Sequence, residues 1–121
     1  MAKIRHIAIF ANDQTKLADF YKNTFGLKEV FRHSSAQGGE AIYLSDGYIN
    51  LAILPARGRR PEGIDHFGFE VEDVEKIVNV AKDEGARQGS EAVPRDGRFA
   101  EVFIRDPAGT RVDLSKGGWR T

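Results

Sequence analysis

The chain has 121 residues, 40% of them hydrophobic and 30% charged, with 18 Lys plus Arg balanced by 18 Asp plus Glu. That length supports one compact domain and is short for two independent ones, and a formal net charge of zero supplies no field to recruit nucleic acid or an anionic membrane. Cysteine is absent, which excludes disulfides, thiolate nucleophiles and sulfur-rich zinc sites and suits a cytoplasmic location; no apolar run reaches the length of a membrane span, and Met1-Ala2-Lys3-Ile4-Arg5 lacks a secretory h-region.

Residues 4–11 alternate as a strand, with Arg5, Ile7, Ile9 and Ala11 on one face and Ile4, His6, Ala8 and Phe10 on the other. Asn12-Asp13 supplies a helix N-cap. Leu17, Phe20, Tyr21 and Phe25 follow at helical spacing as a core-facing stripe, and Gly26 suits a left-handed C-terminal cap. Strands are predicted near 27–33, 40–45 and 48–54, with Ser45-Asp46-Gly47 turning between the last two. The first half is therefore β-α-β-β-β. A polar linker, 55–62, carries Arg57, Arg59 and Arg60, read as solvated charges with an anion clamp for a phosphate or carboxylate as the functional alternative.

The second half repeats the order. His66-Phe67-Gly68-Phe69-Glu70-Val71 alternates, Asp73 caps a helix presenting Val74, Ile77, Val78 and Ala81, and Gly85 ends it. Strands are predicted near 87–93, 99–105 and 111–115, the last two joined by an Asp106-Pro107-Ala108-Gly109 turn. The result is one domain, 1–121, holding two tandem βαβββ modules at about 1–54 and 63–116, an α+β arrangement that favours duplication over a longer array. Gly38-Gly39 and Arg95-Asp96-Gly97-Arg98 read as loops that either close over a ligand or simply turn.

Duplication also places chemistry. Each module opens on a strand with one histidine, His6 or His66, beside a small residue on the same face, Ala8 or Gly68, which leaves the imidazole room to reach across a cavity. Each closes on a strand with one polar side chain among apolar ones: Asn50 beside Ala52, and Asp113 beside Ser115. If the four strands are equivalent by pseudo-symmetry, His6, Asn50, His66 and Asp113 point into one pocket. Two imidazoles and a carboxylate, with an amide or water completing the shell, suit a divalent metal such as Fe, Mn, Co, Ni or Zn. Glu70 shares the His66 face and Glu101 alternates with Phe99 and Phe103; each is a candidate acid–base or a solvated strand carboxylate.

From Ile4 to Ser115 the chain resembles the vicinal oxygen chelate superfamily, which includes glyoxalase I, bleomycin- and fosfomycin-resistance proteins, methylmalonyl-CoA epimerase and extradiol dioxygenases. The resemblance is carried by Arg5-His6-Ile7-Ala8-Ile9, Phe20-Tyr21, Phe25-Gly26-Leu27, Gly63-Ile64-Asp65-His66-Phe67-Gly68-Phe69 and Asp106-Pro107-Ala108-Gly109 followed by Val112-Asp113-Leu114. It implies a glyoxalase-like fold, in which paired βαβββ modules form a curved half-barrel sheet around a central site, and often a homodimer. The family's metal positions match His6, His66 and Asp113, with Asn50 at the remaining place. Here the chain departs from the pattern: glyoxalase I commonly carries glutamate and methylmalonyl-CoA epimerase glutamine where this chain has Asn50, and Asp113 is one methylene shorter than the usual glutamate.

The resemblance implies a divalent-metal-dependent enzyme of lyase or isomerase type, in which the metal stabilises an enediolate-like intermediate of a small oxygenated substrate. The alternatives are an extradiol-type dioxygenase, since two histidines and one carboxylate also serve non-haem iron oxygenases, and a non-catalytic small-molecule or drug-binding protein.

Overall fold

The computed structural model describes residues 1–34, 39–91 and 102–121. Gly38, Arg95-Asp96-Gly97-Arg98 and the candidate acid–base Glu101 lie outside the described residues, as do parts of the strands predicted at 87–93 and 99–105. The elements are β1 (Lys3–Ala11), α1 (Gln14–Phe25), β2 (Lys28–Ser34), β3 (Glu40–Ser45), β4 (Asn50–Pro55), β5 (Gly63–Glu70), α2 (Val74–Asp83), β6 (Gln88–Glu91), β7 (Val102–Arg105) and β8 (Arg111–Ser115). This is the α+β, twice-repeated βαβββ order of a glyoxalase-like fold. The chain divides into two compact units, His6–Asp65 with Arg120–Thr121 and His66–Trp119 with Met1–Arg5. Among the described residues no helix is long and apolar enough to cross a membrane.

In the unit His6–Asp65 the strands run β2-β3-β4-β1, antiparallel until the parallel β4–β1 pair. Alternation along β1 sorts the side chains as the pattern requires: Ile9 and Ala11 join Ala18, Ile42, Leu44 and Ile53 in a buried core, with Ile7 packed against it. His6, Ala8 and Phe10, on the opposite face, are buried as well. Helix α1 starts where the Asp13 carboxylate accepts the Lys16 N–H at 3.0 Å and stops at Gly26, whose φ of 73° no β-carbon penalises.

The helix stripe requires a correction. Leu17, Ala18 and Tyr21 face the core, whereas Phe20 and Phe25 are 53% and 66% exposed. They cluster on the Tyr21 ring at the surface, with centroids 5.3 and 6.0 Å from it. Helical spacing identifies residues that line up; the area of sheet beneath decides how many are covered.

The linker is also less free than its charges imply. Asn12 Oδ1 accepts the Gly58 N–H at 2.8 Å, Glu62 accepts the Asn12 N–H at 2.9 Å, and the Arg60 guanidinium lies 4.6 Å from the Phe10 ring centre. Cation–π contact holds Arg60 to the end of β1, while Arg57 and Arg59 are exposed as expected.

In the unit His66–Trp119 the order is β6-β7-β8-β5, antiparallel except for the parallel β8–β5 pair. Val71, Val112 and Leu114 form its core, and Phe67, Phe69, Val74, Ile77 and Val78 pack on them. Asp73 caps α2 by accepting the Lys76 N–H at 3.1 Å.

Candidate metal-binding half-sites

In each unit an aspartate side chain shapes the turn that delivers the polar residue. Asp46 Oδ1 accepts the N–H groups of Ile49 and Tyr48 at 2.7 and 2.9 Å, just before Asn50. Those two backbone hydrogen bonds, Ile49's first, hold its carboxyl below the usual range. Asp106 Oδ1 likewise accepts from Ala108 and Thr110 at 2.9 and 3.0 Å ahead of β8. These Asx-type turns cost the chain no side-chain reach and fix where the strand begins.

In the first unit His6 is level with Asn50 in the parallel β1–β4 ladder, and Ala8 with Ala52. Level residues of a parallel pair share a face, so the imidazole and the amide meet: His6 Nδ1 lies 3.0 Å from Asn50 Oδ1. The Asn50 amide nitrogen donates at 2.9 Å to the backbone carbonyl of Arg120. His6 is 4% exposed and Asn50 0%, so both are buried.

The second unit uses similar residue types in a different register. Asp113 is level with Gly68, two residues beyond His66, and Ser115 with Glu70. Strict equivalence of the closing strands therefore does not hold. Asp113 nevertheless reaches diagonally to His66, with Oδ2 3.3 Å from Nε2, while Oδ1 accepts from Arg111 Nε at 2.7 Å. Burial raises the pKa of this carboxyl, but hydrogen bonding and charge from His66, then Arg111, outweigh burial and hold it below the usual carboxylate range. Asp113 is thus an ionised, buried oxygen donor beside an imidazole.

The room expected beside His66 is not open space. Trp119, 7% exposed, fills it: a β-carbon on Gly68 would lie 2.6 Å from the indole Cη2. The tail turns back where Ser115 Oγ accepts the Gly118 N–H at 2.9 Å, and Gly118, at φ 71°, has no β-carbon to strike the Glu70 carboxylate. Glu70 meanwhile pairs with Arg5 Nη1 at 3.2 Å, its side chain 39% exposed. Neither Trp119 nor the Arg120 carbonyl is foreshadowed by the strand pattern; the only signal in the sequence is a tryptophan following two glycines, Gly117-Gly118-Trp119.

The repeated βαβββ order, with a buried histidine on the first strand of each half, is accompanied by a match over residues 3–114 to the model of the Glyoxalase/Bleomycin resistance protein/Dioxygenase superfamily. The chain belongs to that superfamily. Among solved structures, this superfamily member is similar to a hypothetical protein from Bacillus halodurans C-125, at 22% identity over 93% of this chain and 92% of the other, with a TM-score of 0.76. It is also similar to a methylmalonyl-CoA epimerase in complex with methylmalonyl-CoA and NH4+, at 22% identity over 100% and 99% of the two chains and a TM-score of 0.73. A third, a single-residue variant of the Streptomyces coelicolor methylmalonyl-CoA epimerase in complex with 2-nitronate-propionyl-CoA, is 24% identical over 93% and 94%, with a TM-score of 0.69. At these identities the likeness is one of fold. Comparison with curated proteins returns no match.

Proposed function

We propose that this superfamily member is a divalent-metal-dependent enzyme of isomerase or lyase type, moving a proton on a carbon beside a carbonyl of a small oxygenated substrate. The observation that carries the reading is the donor chemistry: His6, His66 and Asp113 are all buried, and the carboxylate is held ionised against an imidazole. Two imidazoles and one carboxylate fit iron, manganese, cobalt, nickel or zinc. When bound, such an ion supplies Lewis-acid polarisation of a substrate oxygen. In this reading His6, His66 and Asp113 would hold the ion, and Arg111 fixes the Asp113 carboxylate through Oδ1. Trp119 walls the His66 side of the second unit against water, and Glu70 or Glu101 exchanges the proton with the substrate carbon.

A coenzyme A thioester with an acidic α-hydrogen is the first substrate class to test, since one structure of similar fold holds methylmalonyl-CoA. The same reading carries a homodimer, checked by sedimentation at micromolar concentration. The deciding experiment is elemental analysis of protein purified without chelator, followed by NMR detection of deuterium exchange into candidate thioesters and α-oxo compounds. We expect close to one transition-metal ion per chain, and exchange lost in the His6→Ala and His66→Ala variants. Glu70→Gln and Glu101→Gln then separate the two bases: the true one loses about 100-fold or more in exchange while metal content stays. Metal-free protein whose ligand binding is indifferent to both histidine substitutions would be a binding protein instead. Oxygen uptake with catechols in place of exchange would move the assignment to ring cleavage.

A further inference from the structure

We infer that Asn50 is a positioning residue for His6 and not itself a metal ligand: the Arg120 backbone carbonyl orients the Asn50 amide, and the amide fixes the imidazole tautomer that presents Nε2 to a metal. The inference rests on the metal-site reading above. It starts from a group whose hydrogen-bonding role cannot change. A backbone carbonyl only accepts, so the end of the Asn50 side chain 2.9 Å from the Arg120 oxygen has to be the NH2 group. The amide oxygen therefore faces His6 Nδ1 at 3.0 Å. That oxygen also only accepts, so Nδ1 has to carry a proton. In a neutral imidazole the lone pair then resides on Nε2.

This is the arrangement a metal-binding histidine needs, because the nitrogen opposite the metal ordinarily donates to a carbonyl or carboxylate that sets its tautomer and ring angle. Side-chain length fits the role. Asn50 is level with His6 on the adjacent parallel strand, so a short amide reaches the near ring nitrogen. Both ends of the amide are engaged, and among the described residues no buried side-chain polar atom lacks a hydrogen-bond partner. The carbonyl that starts the relay is itself held: the Arg120 guanidinium lies 4.3 Å from the Phe31 ring centre on β2, a cation–π contact that ties the tail residue to the sheet.

The test is NMR of nitrogen-15-labelled histidine on the metal-free full-length chain, followed by Co(II) titration. Wild-type His6 is expected to carry its proton on Nδ1. Asn50→Leu, close in size, should lose that tautomer and bind Co(II) about 10–100-fold more weakly. Its visible Co(II) spectrum at saturation, which reports coordination number and donor set, should stay unchanged. A proton on Nε2 in the metal-free wild type overturns the inference. So does a changed spectrum in Asn50→Leu, which would make Asn50 a ligand, or an unchanged affinity. Asn50→Asp gives up the donor to the Arg120 carbonyl but keeps an acceptor for Nδ1, so the Nδ1 proton should stay; its loss in that folded variant overturns the inference even if Asn50→Leu does not fold. A wild-type chain that binds no Co(II) sinks the metal-site reading, and presentation of Nε2 to a metal with it, whereas the tautomer is measured without metal and tests the role of the Asn50 amide separately.

Discussion

Trp119 occupies the place of the side chain that Gly68 lacks, its Cη2 and Cζ2 atoms standing 2.6 and 2.9 Å from where a β-carbon would be. Strand β5 therefore needs glycine for a reason outside β5. Gly68→Ala should expel or tilt the indole and cost about 1–3 kcal/mol, the usual range for overpacking. Trp119→Ala, which empties a buried site, should cost about 3 kcal/mol. The two changes act on one volume, so the double variant should be markedly less destabilised than the sum of the singles. Urea denaturation of the four proteins measures this coupling; simple additivity would mean the indole and Gly68 are not packed as described.

The same pair shows which features can be read before a structure. Alternation from Ile4 to Ala11 predicts both faces of β1: Ile9 and Ala11 enter the apolar core, while His6, Ala8 and Phe10 share the opposite, buried face. The Asp13 and Asp73 caps are legible because N-capping is local chemistry. Smallness beside His66 is legible too, but the reason for it is not: an indole far downstream leaves no periodic trace. Arg120 is harder still, since a backbone carbonyl contributes through its position and not its residue type. The Phe20 and Phe25 rings mislead for a different reason: periodicity reports a helix face without reporting where the sheet under it ends. Likewise, the closing strands of the two modules carry Asn50 and Asp113 in matching apolar contexts, yet the ladders place one opposite His6 and the other opposite Gly68.

Metal binding should be visible as stability. A ligand that binds only the native state adds about 2.7 kcal/mol at a hundred times its Kd. Added Mn(II), Co(II), Ni(II) or Zn(II) should therefore raise the Tm of the wild-type chain by several degrees. His66→Ala should abolish most of that rise. His33→Ala should not, since His33 lies on β2 outside the proposed donor set. Equal shifts in the two variants would mean that binding needs neither His66 nor His33, and the proposed ligands would lose their support.

Arg111 makes the state of Asp113 testable. Its Nε donates to Oδ1 at 2.7 Å, and its guanidinium lies 4.7 Å from the Phe103 ring centre. Asp113 has a depressed folded-state pKa, so its stabilising contribution is present above the unfolded carboxylate pKa and is lost as pH falls through the lower, folded value. Arg111→Met removes one of the groups that depress it while keeping much of the packing. The Asp113 carboxyl should then titrate at higher pH by carbon-13 NMR, and acid unfolding should begin at higher pH than in wild type. Coincident acid-unfolding curves would mean that His66 alone sustains the shift.

A second carboxylate, Glu29 on β2, gives a control outside the proposed donor set. Glu29 accepts from Lys22 Nζ at 2.8 Å and from Arg32 Nη2 and Nε at 2.6 and 3.0 Å, and Arg32 Nη1 continues to Glu40 at 2.7 Å. Hydrogen bonds from Arg32, then Lys22, lower the Glu29 pKa from 4.5 to about 2. The sign follows from the depression: the contribution is full above pH 4.5 and drains away as pH falls toward 2. Its size is limited, because the three side chains are about a third exposed and solvent screens such pairs. Glu29→Gln should cost about 0.5–1 kcal/mol at neutral pH, most of it vanishing in 0.5 M salt (~4 Å Debye length). Below pH 2 the variant and wild type should converge, because protonated Glu29 no longer attracts Lys22 and Arg32. Metal-induced stabilisation should be the same in both proteins at neutral pH, because β2 carries none of the proposed ligands. A Glu29→Gln variant that lost the metal response would tie this surface network to the site and contradict the assignment of His6, His66 and Asp113 as the donors.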